Sequence, residues 1–107
     1  MLKLSVADAL ARLRETGERY AVVQSGPIHD IGFYGPRDLD PQKPHVRDEA
    51  YIVASGTGRF LCGGEETAFA PGDLLFVPAG VEHRFVDFTP DFGTWVVFFG
   101  AAPPKAG

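Results

Sequence analysis

Glycine and proline cut this chain into short runs of apolar, β-branched and aromatic residues, and that punctuation constrains the fold more than any other feature. The thirteen glycines and nine prolines are spread along the whole length at turn-like positions, with no linker-like concentration. The runs between them predict strands over 20–24, 28–34, 50–54, 59–62, 65–69, 74–77, 83–88 and 94–99. The runs at 50–54 and 59–62 are expected to pair as a hairpin about the two-glycine turn between them. Short strands at near-regular spacing, without crossover helices, mean an antiparallel sandwich or barrel.

One helix precedes them. Ser5 followed by Asp8 reads as an N-cap and its partner, and Leu4, Val6, Ala9, Leu10 and Leu13 recur with helical spacing until Gly17 stops the pattern. The helix is expected over about residues 5–15. Between 35 and 44, Pro36, Pro41 and Pro44 hold a polar loop extended or turned and exclude a helix.

A length of 107 residues suits a single domain with one core. It divides into a leading helix and strands (1–31), a barrel core (32–100) and a loose tail (101–107). The 14 acidic and 10 basic side chains give a formal net charge of -4, with no basic run to neutralise a phosphate backbone, so nucleic acid is not an expected partner. Cys62 is the one cysteine, so no internal disulfide forms, and no secretory leader or run of about 20 apolar residues appears. A cytoplasmic protein without a membrane partner is expected. The apolar last strand, Trp95 to Phe99, and the N-terminal segment could pair between chains, and a homodimer is expected.

The chemistry concentrates in two places. The run from Gly72 to His83 sets a histidine on a rigid turn directly after a strand, with Pro78 fixing φ and Gly80 permitting a backbone shape closed to other residues. His45 stands four residues before Glu49, and strand alternation would put Lys43, His45, Arg47 and Glu49 on one face. Two imidazoles and a carboxylate form a facial set for a divalent first-row metal such as Zn, Fe, Mn or Ni, with positions left for water, dioxygen or a chelating ligand.

These residues carry a family resemblance: the chain resembles the cupins, small β-barrels of the jelly-roll type. Gly72, Pro78, Gly80 and His83 keep every spacing of the second cupin motif, and Asp87 stands at its closing Asn. His45, Glu49 and Gly56 match the second His, the Glu and the final Gly of the first motif. Lys43 occupies its first His position and Arg37 its opening Gly position. The resemblance spans about residues 32–100. It implies an all-β single jelly-roll barrel and metal ligands at His45, Glu49 and His83. Lys43 then stands at a vacant ligand position, which Gln42 or water could fill.

Other residues have plainer readings. His29 lies outside both motifs and is expected to be a hydrogen-bonded or surface histidine. Arg37, Arg47 and Arg59 are either solvated or available to a ligand's acidic group. Arg47, Tyr51, Phe60, Phe76, Phe85 and Trp95 are candidates for a pocket lining, although a barrel also needs aromatic filling. Cys62 is expected to pack and not to react, and Glu82 to face solvent. Two functions stay open: a metal-dependent isomerase or dioxygenase acting on a small, sugar-like or carboxylate ligand, and a non-catalytic small-molecule binding module, with or without metal.

Overall fold

The computed structural model describes residues 1–103, so the expected loose tail falls, for residues 104–107, outside the described residues. Ser5 caps helix α1 (Val6–Thr16) as expected. Its hydroxyl accepts from the Asp8 amide and the Asp8 carboxylate accepts from the Ser5 amide, both at 3.0 Å. Gly17 ends the helix in the left-handed region at φ 72.

Eight strands follow among the described residues: β1 (Tyr20–Gly26), β2 (His29–Tyr34), β3 (Glu49–Ser55), β4 (Gly58–Cys62), β5 (Glu65–Phe69), β6 (Leu74–Val77), β7 (His83–Val86) and β8 (Gly93–Phe99). They form a five-stranded sheet, β1-β2-β8-β3-β6, and a three-stranded sheet, β5-β4-β7, with every pairing antiparallel. This is the expected jelly-roll barrel with one N-terminal helix. No helix among the described residues is long and apolar enough to cross a membrane.

Two expectations about pairing are corrected. The 50–54 and 59–62 runs do not form a hairpin: β3 lies between β8 and β6, and β4 between β5 and β7. The turn between them leaves one sheet for the other because its backbone bonds go elsewhere. Thr57 donates its amide to Thr89 Oγ1 at 3.0 Å, and Thr89 donates its own to the Thr57 carbonyl at 2.9 Å. The last strand, β8, is central and paired on both sides by β2 and β3, so it offers no free edge to a second chain.

Register fixes which side chains point into the barrel. Glu49, Tyr51 and Val53 on β3 face Val77 and Leu75 on β6, and Phe98, Val96 and Thr94 on β8. From the other sheet, Phe85 on β7 packs edge-on to Tyr51 at 4.8 Å between ring centroids and lies 4.7 Å from Phe60 and from Phe92. Truncating a fully buried ring of this kind costs about 3–5 kcal/mol. This aromatic plug fills the middle of the barrel and leaves the end where β3 and β7 begin for polar groups.

Candidate metal centre

Glu49 is the first residue of β3 and His83 the first of β7, so each is held by the sheet that follows it. His45 arrives from the loop before β3. The segment 43–48 is not strand, and residues 46 and 47 form a bend. The alternation expected from Lys43 to Glu49 therefore does not run through a strand, yet His45 still reaches the set. One donor atom from each of His45, Glu49 and His83 lies within 4.8 Å of the others.

Glu49 is 1% exposed and His83 6%. Glu49 Oε1 is 3.1 Å from His83 Nε2 and 3.8 Å from His45 Nε2. All three of these atoms are buried and none has a hydrogen-bond partner, since the short contact is not aligned as a hydrogen bond. Three orphaned polar atoms meeting at one point are costly unless something occupies the space between them. A cation suits that donor set, and the described residues fit it.

The imidazole of His83 is also held in one tautomer. Its Nδ1 lies 3.0 Å from the Val81 carbonyl, which can only accept, so Nδ1 carries the proton and Nε2 turns a lone pair to the site. Burial by itself lowers the His83 pKa; the Glu49 carboxylate and the Val81 carbonyl outweigh it and leave the net shift upward. Burial lowers His45 as well, and there it prevails over Glu49.

The two halves of the site are tied through backbone. Gly80, at φ 79, donates its amide to the His45 carbonyl at 2.6 Å, and Ala79 donates to Asp48 Oδ1 at 2.8 Å. Asp48 escaped sequence reasoning because it acts on an amide remote in sequence. Asp40 escaped it too, although it is 2% exposed and accepts four hydrogen bonds.

Several expected site residues have other duties. Gln42 reaches the mouth of the site, but its Oε1 accepts from the Tyr51 hydroxyl at 2.8 Å and its Nε2 donates to Asp40 at 2.8 Å. Its amide is thus engaged in the wall behind the site. Lys43 is exposed. Arg47 bonds Asp30 at 2.8 Å and lies over the Phe98 ring at 4.7 Å, so its guanidinium is already paired within the fold. Phe76 is 55% exposed on the outer face of β6, opposite Ala50, and Trp95 packs edge-on against Phe33 outside the barrel. Neither lines the interior.

Tyr51 and Phe60 do stand beside the set, with ring centroids 6.1 and 6.3 Å from that of His83. Phe98 closes its other side, 5.0 Å from the His45 ring. Burial, then the Glu49 charge, pushes the Tyr51 phenol far up, so it remains a neutral donor. An open cleft of about 740 Å³ borders His83 together with Gln42, Leu61, Cys62, Glu65 and Arg84; His45 and Glu49 do not line it, and the His83 imidazole itself is buried. Cys62 is half-buried, with its thiol raised by burial and then by Glu65, which suits packing. His29 bonds Gln24 at 2.8 Å, Arg59 pairs with Glu66, and Arg37 and Glu82 are exposed.

Residues 33–91 match the family model described as a cupin domain. The chain belongs to the cupin family. This cupin is 43% identical over 67 residues to an uncharacterised protein of Streptomyces coelicolor, a match covering 63% of this chain and 61% of that one. It is 35% identical over 106 residues to acireductone dioxygenase 2 of Nocardia farcinica, covering 80% of this chain and 52% of that protein. The cupin thus spans about half to three-fifths of the length of the curated relatives it matches. Among solved structures, KdgF from Halomonas sp. superposes with a TM-score of 0.68 at 21% identity, over 78% of each chain, which shows the shared fold.

The family frame also explains the cupin's departure at the end of its second motif. Asp87 sits at φ 50, in the left-handed region. Asn and Asp are the non-glycine residues that tolerate this region best, so Asp serves where the motif has Asn.

Proposed function

We propose that this cupin holds a divalent metal ion through His45, Glu49 and His83 and presents it to a small organic ligand. The observation that carries the reading is the meeting of three buried, unpartnered donor atoms, one from each residue. A divalent ion bound there supplies Lewis-acid polarisation of a ligand oxygen.

The protein's own groups set the conditions around that point. The Val81 carbonyl keeps the lone pair of His83 Nε2 aimed inward, and Glu49 brings the negative charge that two neutral imidazoles lack. Phe60 and Phe98 cover the flanks, while His45, whose side chain is 33% exposed, marks the side from which a ligand would approach. Among chemistries, dioxygenation draws support from the curated relatives named acireductone dioxygenase. One observation favours a non-catalytic module instead: Tyr51 and Asp40, the titratable groups behind the donors, are both engaged in hydrogen bonds within the wall.

Elemental analysis of the purified protein beside the His45→Ala, His83→Ala double variant tests the metal reading. Stoichiometric metal in the unmodified protein and none in the variant is expected. An unmodified protein that neither retains nor rebinds metal would sink the proposal. Dioxygen uptake by the iron-loaded protein given acireductone then separates an enzyme from a module, which binds without consuming oxygen.

A further inference from the structure

We infer that Asp40 is the positioning residue of the metal centre, fixing the loop of His45 against the strand of His83; this rests on the metal reading above. Its carboxylate is 2% exposed and lies where the two sheets meet. Oδ1 accepts from the Tyr34 hydroxyl at 2.6 Å and from the Gln42 amide at 3.2 Å. Oδ2 accepts from Gln42 Nε2 at 2.8 Å and from the Phe85 amide at 2.9 Å. Tyr34 ends β2 in the five-stranded sheet, while Phe85 lies on β7, the edge of the three-stranded sheet and the strand that begins with His83.

An edge strand leaves alternate amides without a partner. Asp40 supplies one for β7 and so ties that edge to the other sheet across the seam in which the donors meet. The same carboxylate grips Gln42 twice, three residues before His45, and Gln42 in turn receives the Tyr51 hydroxyl. Asp38, at φ 61, and the bridge between Arg37 and Leu39 turn the chain so that Asp40 enters the seam. The three donors come from a loop and from two strands in different sheets, so their separation depends on this clamp. Groups that orient ligands from behind typically change metal affinity by about 10- to 100-fold.

Asn at position 40 keeps the shape and removes the match. Either orientation of its amide sets an NH2 against a backbone N–H, that of Gln42 or that of Phe85. The test compares unmodified protein, Asp40→Asn and Tyr34→Phe by two readouts: cobalt(II) titration followed by visible absorption, and amide hydrogen exchange without metal. Asp40→Asn is expected to bind cobalt about 10- to 100-fold more weakly, with an altered spectrum, at a temperature where its circular dichroism is native. Exchange in 41–48 and 83–86 is expected to accelerate while β4 stays protected. Tyr34→Phe, which loses one of the four donors, is expected to shift both readouts less in the same direction, and it decides the matter if Asp40→Asn does not fold. Unchanged affinity and unchanged exchange in a folded variant would overturn the role of Asp40. An unmodified protein that takes up no cobalt overturns the metal reading alone, and exchange then still decides whether Asp40 positions the loop.

Discussion

The amide of Gly80 donates to the carbonyl of His45 at 2.6 Å, so the turn that delivers one histidine is fastened to the backbone of the other. Gly80 holds φ 79, and a Cβ added there meets nothing within 4 Å. The cost of a side chain is therefore conformational and not steric. Gly80→Ala is expected to lose about 1–2 kcal/mol in urea unfolding, from the left-handed backbone alone. Because the same turn carries the bond to His45, metal affinity is expected to fall severalfold in parallel. Wild-type stability in Gly80→Ala would show that the turn does not need its glycine.

Removing the carboxylate of the site separates binding from folding. If the site binds zinc as proposed, the unmodified protein is expected to gain about 2.7 kcal/mol of stability with zinc at about a hundred times its dissociation constant. Glu49→Gln is expected to gain almost nothing, read as the absence of a zinc-dependent rise in melting temperature. Without metal, Glu49→Gln is expected to melt no lower than the unmodified protein. A neutral amide costs less to bury than a carboxylate whose Oε1 lacks a hydrogen-bond partner.

Acid sensitivity has a named source away from the site. The Ser25 hydroxyl, then the Arg47 guanidinium, hold the Asp30 carboxyl below its ordinary 3.8. A depressed carboxyl contributes stability that is present above the unfolded value and lost as pH falls through the folded one. The gap in urea midpoint between the unmodified protein and Asp30→Asn is thus expected to be full above about pH 5 and to close toward pH 2. A gap that stayed constant over that range would rule out Asp30 as the titrating group.

Much of this was legible in the sequence, for reasons visible residue by residue. His83 could be read because its turn is local: Gly72 and Gly80 occupy positive φ, at 92 and 79, within one short segment. Helix α1 was equally local, its cap and its stop both given by side chains a few residues away. What needed the structure was non-local. Asp40 and Asp48 act on amides at 85 and 79, and no periodicity announces such a partner. The inward face was ambiguous for the same reason: Trp95 and Phe76 read as pocket residues until register placed them opposite Ile52 and Ala50, on the outer side of β3. Arg47 looked available to a ligand because its partner, Asp30, belongs to a strand well before it.

Asp87 offers the cleanest check on why a motif position takes the residue it does. Its φ of 50 is strained for any β-branched side chain, while its own side chain is exposed. If backbone conformation alone selects the residue, Asp87→Asn should leave stability within about 0.5 kcal/mol of the unmodified protein, and Asp87→Val should cost about 1–2 kcal/mol. Both variants remove the charge, so the charge cannot explain a difference between them. Guanidinium unfolding of the pair is the measurement. Equal losses in the two would mean that position 87 is held by its carboxylate and not by its left-handed backbone.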